Sequence, residues 1–146
     1  MIITIQEAAK RVGVTSSAIR YYDKNGLLPF VERDKYNHRV FHENDLIWIE
    51  LIKALRETDM PIEMIQKYIN LTVQGRSSLE ERFHLMTEYQ RQLEIKVTED
   101  QAHCITINRW INHFIKVMNN KDLDRFPDNV DKHFPEEVTK SILDSK

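Results

Sequence analysis

The sequence predicts a mostly α-helical protein with three parts: a small head carrying a two-stranded β wing, a long coiled-coil helix, and a short C-terminal tail. Three observations predict it. Two short helical patterns meet at a tight Gly13-Val14-Thr15 corner, and an extended stretch with a Tyr36-Asn37 tip follows them. Apolar residues then recur in alternating steps of four and three from Leu79 to Met118.

The first helix carries its own start signal. Thr4 can accept from the amide three residues on while Glu7 reaches back, a capping box. Ile5, Ala8, Ala9 and Val12 recur at helical spacing and form its core face, and Gly13 stops it. Thr15 or Ser16 can cap the next helix, in which Ala18, Ile19 and Tyr22 make a buried stripe. Ser17, Arg20, Tyr21 and Lys24 are left outside, and Gly26 ends the helix as the residue that tolerates a left-handed turn. Two short helices joined by so tight a corner have the layout of a helix-turn-helix, whose second helix enters the DNA major groove.

Leu28-Pro29 leads into VERDKYNHRVF, which reads as a β-hairpin wing; Asn37 accepts the positive φ that a tight hairpin turn needs. From Glu43 to Glu57, Leu46, Ile49, Ile52 and Leu55 form an apolar stripe that Ile47, Trp48 and Leu51 broaden, so this helix is expected to be well buried. Glu43 and Asp45 sit favourably at the positive end of its dipole. Asp59, Met60 and Pro61 break the chain, and Pro61 suits the first position of a helix spanning Ile62 to Ile69, with Ile62, Ile65 and Ile69 on one face.

The long helix has a seam at Leu79, Phe83, Met86, Gln90, Leu93, Val97, Asp100, Cys104, Ile107, Ile111, Phe114 and Met118; only Gln90 and Asp100 are polar. No proline or glycine interrupts it, so one helix of about 60 Å is allowed at 1.5 Å per residue. A seam of that length cannot be buried against a small head, and it argues for a two-stranded coiled coil and a symmetric homodimer. A second row, Tyr89, Ile105, Trp110, Ile115 and Val117, leaves the seam. It serves either packing against the partner's head or an effector pocket, for which Tyr89 and Trp110 are the candidates. The tail carries an internal echo, LDRFPDNV then VDKHFPEEV, with Phe126-Pro127 and Phe134-Pro135 at equivalent places. Pro135-Glu136-Glu137 looks like the start of a small helix with Val138 and Ile142 on one face, docking on the dimer or forming a lid.

At 146 residues the chain can hold one domain with a core plus an appendage. No apolar run approaches the roughly 20 residues of a membrane span and the N-terminus lacks a signal peptide's apolar stretch, so a soluble, cytoplasmic protein with no membrane partner is expected. The single Cys104 excludes an intrachain disulfide and any multi-cysteine metal site within one chain; as a seam residue it reads as a small buried apolar group. The six histidines lack metal-ligand spacing, so neither a metal nor a cofactor is expected. The formal net charge is −2, yet Lys10 to Arg39 hold seven basic and three acidic residues, a local balance of +4. That is where phosphate contacts would be needed. Arg20 and Tyr21 are the leading DNA-binding candidates, Arg20 for a phosphate or guanine edge and Tyr21 for a phosphate oxygen. Ser16 and Ser17 serve DNA contacts or capping, Lys24 lies on the outer face, and Arg33, Lys35 and Arg39 suit wing contacts to backbone or minor groove. No Gly-rich phosphate loop, carboxylate pair or nucleophile with a matched base is present, so no enzyme is expected.

In order and spacing, Ile5 to Ala9, Val14 to Asp23, Gly26 to Pro29, Arg39, Phe41 and Asp45 to Ile65 resemble the winged-helix regulators of the MerR family. The chain departs from the family pattern at the wing, where Tyr36-Asn37-His38-Arg39 replaces a common Asn-Gly-Tyr-Arg, at His42, where a serine is usual, and at Asp59, where a glycine is common. The position matching a cysteine of some aldehyde-responsive relatives is Ala54, so thiol sensing is not expected there. The resemblance implies an antiparallel coil, binding as a homodimer to a promoter palindrome, RNA polymerase as a partner, and distortion of an overlong promoter spacer in response to an effector. The effector itself is not legible in the residues. The expected organisation is a winged helix-turn-helix DNA-binding domain at 1–75, a dimerisation helix at 76–120 and a tail at 121–146. The alternative function is an architectural or protein-recruiting adaptor without effector sensing.

Overall fold

A computed structural model describes residues 1–123, Pro135 and Lys140. The elements run α1 (Ile5–Val12), α2 (Ser16–Lys24), β1 (Glu32–Arg33), β2 (Arg39–Val40), α3 (Glu43–Glu57), α4 (Ile62–Val73), a single 3-10 turn (Gly75–Ser78) and α5 (Leu79–Asn119). The proposed tail helix lies outside the described residues. Two compact units divide the chain, Met1–Tyr89 and Gln90–Lys146.

In the first unit, the caps form as the residue types dictate. Thr4 Oγ1 accepts from the Glu7 amide at 3.2 Å and Thr15 Oγ1 from the Ala18 amide at 3.0 Å. Gly13, at φ +77°, turns the chain between α1 and α2 in the left-handed region where a side chain is strained. Lys53 Nζ reaches from α3 to donate to the Val12 carbonyl at 3.0 Å, satisfying one of the carbonyls exposed where α1 ends. The core collects Ala8 and Val12 of α1, Ile19 and Tyr22 of α2, Phe41, and Ile49 and Ile52 of α3, all buried. Met60 and the α4 residues Ile65 and Ile69 close it.

The wing is a two-stranded antiparallel sheet pairing Glu32 with Val40 and Arg33 with Arg39. A further bridge between Ile3 and Phe41 ties its base to the N-terminus. At the tip Asn37 takes φ +66°, as expected for a turn without glycine. Asp34 makes the turn possible: its Oδ1 accepts from the amides of Tyr36 (2.8 Å) and His38 (2.9 Å). Those amide bonds, His38 foremost, hold the Asp34 carboxyl below the usual carboxylate range.

Two expectations about the supporting helices need correction. Ile47 was expected to broaden the buried stripe of α3, but it is 68% exposed, because a stripe that wide exceeds the face that α1 and α4 can cover. Helix α4 continues past Ile69 to Val73, since Leu71 still finds buried packing, and Ser78 of the following turn donates its hydroxyl to the Leu71 carbonyl. His42 takes the α3 cap position, where its amide donates to Asp45 Oδ2 at 2.8 Å, and Asp59 adopts φ +62°. The start of α5 belongs to this unit, which runs beyond residue 75: Tyr89 is buried and its hydroxyl donates to the Thr58 carbonyl at 2.5 Å.

In the second unit, α5 continues without a break to Asn119. Its seam lies largely in the open: Val97, Ile107, Ile111, Phe114, Met118 and Cys104 are all exposed. No helix among the described residues is long and apolar enough to cross a membrane.

Candidate nucleic-acid interface

Ser17, Arg20, Tyr21 and Lys24 stand at positions i, i+3, i+4 and i+7 of α2, so they share one face, and all four are exposed. The opposite face holds Ile19 and Tyr22 in the core. The two adjacent tyrosines thereby separate into different roles. Tyr21 is 48% exposed, whereas Tyr22 is 7% exposed and burial pushes its phenol pKa up. Arg20 and Lys24 form no ion pair among the described residues, leaving a guanidinium and an ammonium available on this face. Ser16, half-buried, begins the helix, and Thr15 rather than Ser16 supplies the capping hydroxyl.

The wing stands beside this face. Lys35 and Tyr36 are exposed near its tip, with Lys35 Nζ 5.0 Å from the centre of the Tyr36 ring. The other two basic wing residues are already engaged by a carboxylate. Asp23, at the end of α2, accepts with the same Oδ2 from Arg39 Nε at 2.6 Å and Arg33 Nη2 at 3.0 Å. Arg33 Nη1 also donates to the Asn37 carbonyl at 3.0 Å. Arg11, counted in the local positive balance, is likewise held: Glu43 takes it through both carboxylate oxygens at 2.8 and 2.7 Å. That pair lowers the Glu43 pKa and raises that of Arg11.

The other candidate sites fall in different places. Tyr89 belongs to the first unit through its Thr58 hydrogen bond, while Trp110 lies in the second, half-buried and edge-on to His113 at 6.5 Å between ring centres. Met64, Leu71 and Leu85 line a groove of about 630 Å³ between α4 and the start of α5, together with Glu63, Lys67, Glu81, His84 and Glu88. No cluster of three or more metal-ligating side chains occurs among the described residues.

Comparison with known proteins gives a consistent result. A profile described as "MerR HTH family regulatory protein" matches residues 3–72. A crystal structure described as a MerR-family transcriptional regulator from Bacillus thuringiensis is 34% identical, covering 77% of this chain and 98% of that one, with a TM-score of 0.62. The chain belongs to the MerR family. It is 34% identical over 99 residues to an HTH-type transcriptional regulator of Haemophilus influenzae, covering 68% of this chain and 73% of the relative. HiNmlR, described as a MerR family regulator lacking the sensor domain and solved bound to promoter DNA, is 29% identical, with a TM-score of 0.65 over 82% of this chain and 94% of that one. These relatives are transcriptional regulators, not enzymes, and the chain is a MerR-family transcriptional regulator with a two-stranded wing and a long C-terminal helix.

Sequence reasoning placed the outer face of this MerR-family head but missed Asp23. Its signal was a carboxylate, out of place electrostatically, at the end of an otherwise basic helix face. It also missed Gln66, whose side-chain amide donates to the Asn25 carbonyl at 2.7 Å and so holds α4 against the end of α2.

Proposed function

We propose that this regulator acts as a cytoplasmic homodimer on a palindromic promoter site, distorting the spacer DNA in response to an effector and thereby governing RNA polymerase. The observation that carries the reading is the outer face of α2, where Ser17, Arg20, Tyr21 and Lys24 present two unpaired cations and two hydroxyls on a helix narrow enough for a major groove. Ser16 and Lys35 extend that surface; Arg33 and Arg39 support it from the wing base. HiNmlR, bound to promoter DNA with a similar fold, supports the choice of ligand.

Pairing is supported by α5. The exposed seam residues Leu79, Phe83, Val97, Ile107, Ile111, Phe114 and Met118 need cover, with half-buried Met86 and Leu93 and exposed Cys104 in line with them. Charge supplies a direction. Residues 79–100 contain six acidic and three basic side chains, whereas 101–121 contain Arg109, Lys116 and Lys121 and no acid. Antiparallel strands set these opposite halves side by side; parallel strands would stack like on like. Two α2 faces held at a set separation by a stiff rod then match two half-sites, and bending the DNA between them costs several kcal/mol, offset by phosphate contacts. Trp110, Tyr89 and the groove between α4 and the start of α5 are where an effector would be sought.

Sedimentation at micromolar concentration is expected to give a dimer. Duplexes enriched from a random pool by the protein should be palindromic, should outcompete their scrambled versions, and should become hypersensitive to nuclease at the dyad. A monomer would overturn the reading. Equal affinity for scrambled duplexes would replace it with the architectural or adaptor role.

A further inference from the structure

One carboxylate oxygen holds both strands of the wing to the recognition helix. Asp23 Oδ2 accepts from Arg39 on β2 at 2.6 Å and from Arg33 on β1 at 3.0 Å, and Arg33 passes the restraint on to the tip through the Asn37 carbonyl. Beyond the backbone bridge between Ile3 and buried Phe41 at its base and the contact of Glu32 with His42, the wing has little else to fix its angle. Its strands are two residues each, and the side chains of Glu32 through His38 are exposed, so they contribute almost no apolar packing. Asp23 is the last acidic residue before the wing and the only acid on α2, on a helix whose outer face is otherwise cationic. Near a phosphate backbone a carboxylate repels the ligand, so a role in contacting DNA does not explain it. Engagement of two guanidiniums does.

We propose that Asp23 is a positioning residue for DNA recognition, clamping Arg33 and Arg39 so that the wing stands at a set angle to α2 and these two cations are withheld from indiscriminate contact with phosphates. The inference rests on the DNA-binding reading above. In it, the cations offered directly to DNA are Arg20, Lys24 and Lys35, and the specificity of the head depends on a wing that is pre-set before DNA arrives. Carboxylate and phosphate compete for the same guanidiniums. Asp23 already stands at hydrogen-bond distance from both, at 2.6 and 3.0 Å, so a phosphate has either to displace it or to take the donors it leaves free.

The test compares the full-length protein with Asp23→Ala and Asp23→Glu on two probes: a duplex enriched from a random pool by the wild type, and its scrambled version. Thermal melting confirms that each variant is folded. Asp23→Ala is expected to bind the enriched duplex at least tenfold more weakly while binding the scrambled duplex as well as or better than the wild type. The slope of log affinity against log salt should also steepen by about 1 to 2, because released arginines displace additional counterions at about 0.9 per phosphate contact. In the DNA-free protein, amide exchange at Arg33 to Arg39 should quicken, and Asp23→Glu should recover part of every effect. A merely supportive Asp23 would weaken both duplexes in proportion and leave the salt slope unchanged; that result, or no change in any readout, overturns the proposal alone. A wild-type chain with no preference between the two duplexes overturns the DNA reading and this inference with it.

Discussion

In the head, Ile19, Phe41, Ile49 and Ile52 are fully buried within a single chain; in the long helix, Val97, Ile107 and Met118, spaced just as regularly, are 56%, 58% and 76% exposed. The difference lies in what each pattern has to pack against. The head's short elements come from distant stretches of sequence and cover one another, as when Lys53 of α3 caps α1 or Gln66 of α4 holds the end of α2. A single α-helix cannot bury its own stripe. Periodicity therefore states which face is to be covered and leaves open whether the cover belongs to the same chain.

That comparison can be broken most forcefully in the head. Phe41→Ala empties a fully buried site at the base of the wing and should destabilise the head by about 3–5 kcal/mol. The two tryptophans make the measurement selective, because Trp48 reports on the head against Phe30 at 4.9 Å and Trp110 on the second unit. In urea titrations the Trp48 signal should shift to lower denaturant while Trp110 does not follow it. Equal shifts of both signals would show that head and rod unfold as one body and would erase the contrast.

A charge at the middle of the seam probes the other side. Val97→Asp is expected to weaken self-association by about 2–4 kcal/mol, enough to turn a micromolar dimer into monomer, while the Trp48 transition stays in place. Sedimentation and concentration-dependent melting check it. Cys104 sharpens the same point without mutation: as an exposed seam residue it is well placed to crosslink to its copy in a parallel coil, whereas in an antiparallel coil centred near Val97 the two thiols lie several turns apart. Mild oxidation should therefore give no covalent dimer. At the recognition face, Arg20→Ala should weaken binding to the enriched duplex by about 1–3 kcal/mol and leave the dimer intact. Unchanged affinity would remove Arg20 from the interface.

Local chemistry was legible in the residues, and long-range pairing was not. Thr4, Thr15 and Gly13 act at short range, where a hydroxyl reaches an amide three residues on or a glycine takes a left-handed turn, and each does what its type dictates. The bounds of α3 at Glu43 and Glu57 and the start of α5 at Leu79 follow from periodicity and breakers in the same way. Arg33 and Arg39 read as surface cations because the carboxylate that engages them lies 10 and 16 residues away, and the partner of Arg11 lies 32 away. Nothing in spacing reveals such pairs until the elements have docked. Ile47 fails for a related reason: a hydrophobic residue beside a stripe is buried only if a neighbour covers it, and Ile47, in a shallow hollow with Arg11 and Val12 of α1, stays 68% exposed.

The smallest expected effect concerns the wing tip, where a local device substitutes for the glycine of related turns. Asp34 accepts from the Tyr36 and His38 amides, and these bonds keep its pKa below the ordinary value near 4. A carboxyl whose folded pKa is depressed contributes stability that is present above its unfolded pKa and is lost as pH falls through the lower folded value. The tip should therefore hold its turn at neutral and mildly acid pH and loosen only in more acid solution, without disturbing the buried head. Amide exchange or chemical shifts of Tyr36 to His38 followed through an acid titration check this. Asp34→Ala should show the loosened tip already at pH 7, whereas Asp34→Asn, which retains an acceptor oxygen, should preserve most of the turn and remove its acid dependence. A tip that loosens at the same pH in the wild type and in Asp34→Asn would mean that another group sets the transition.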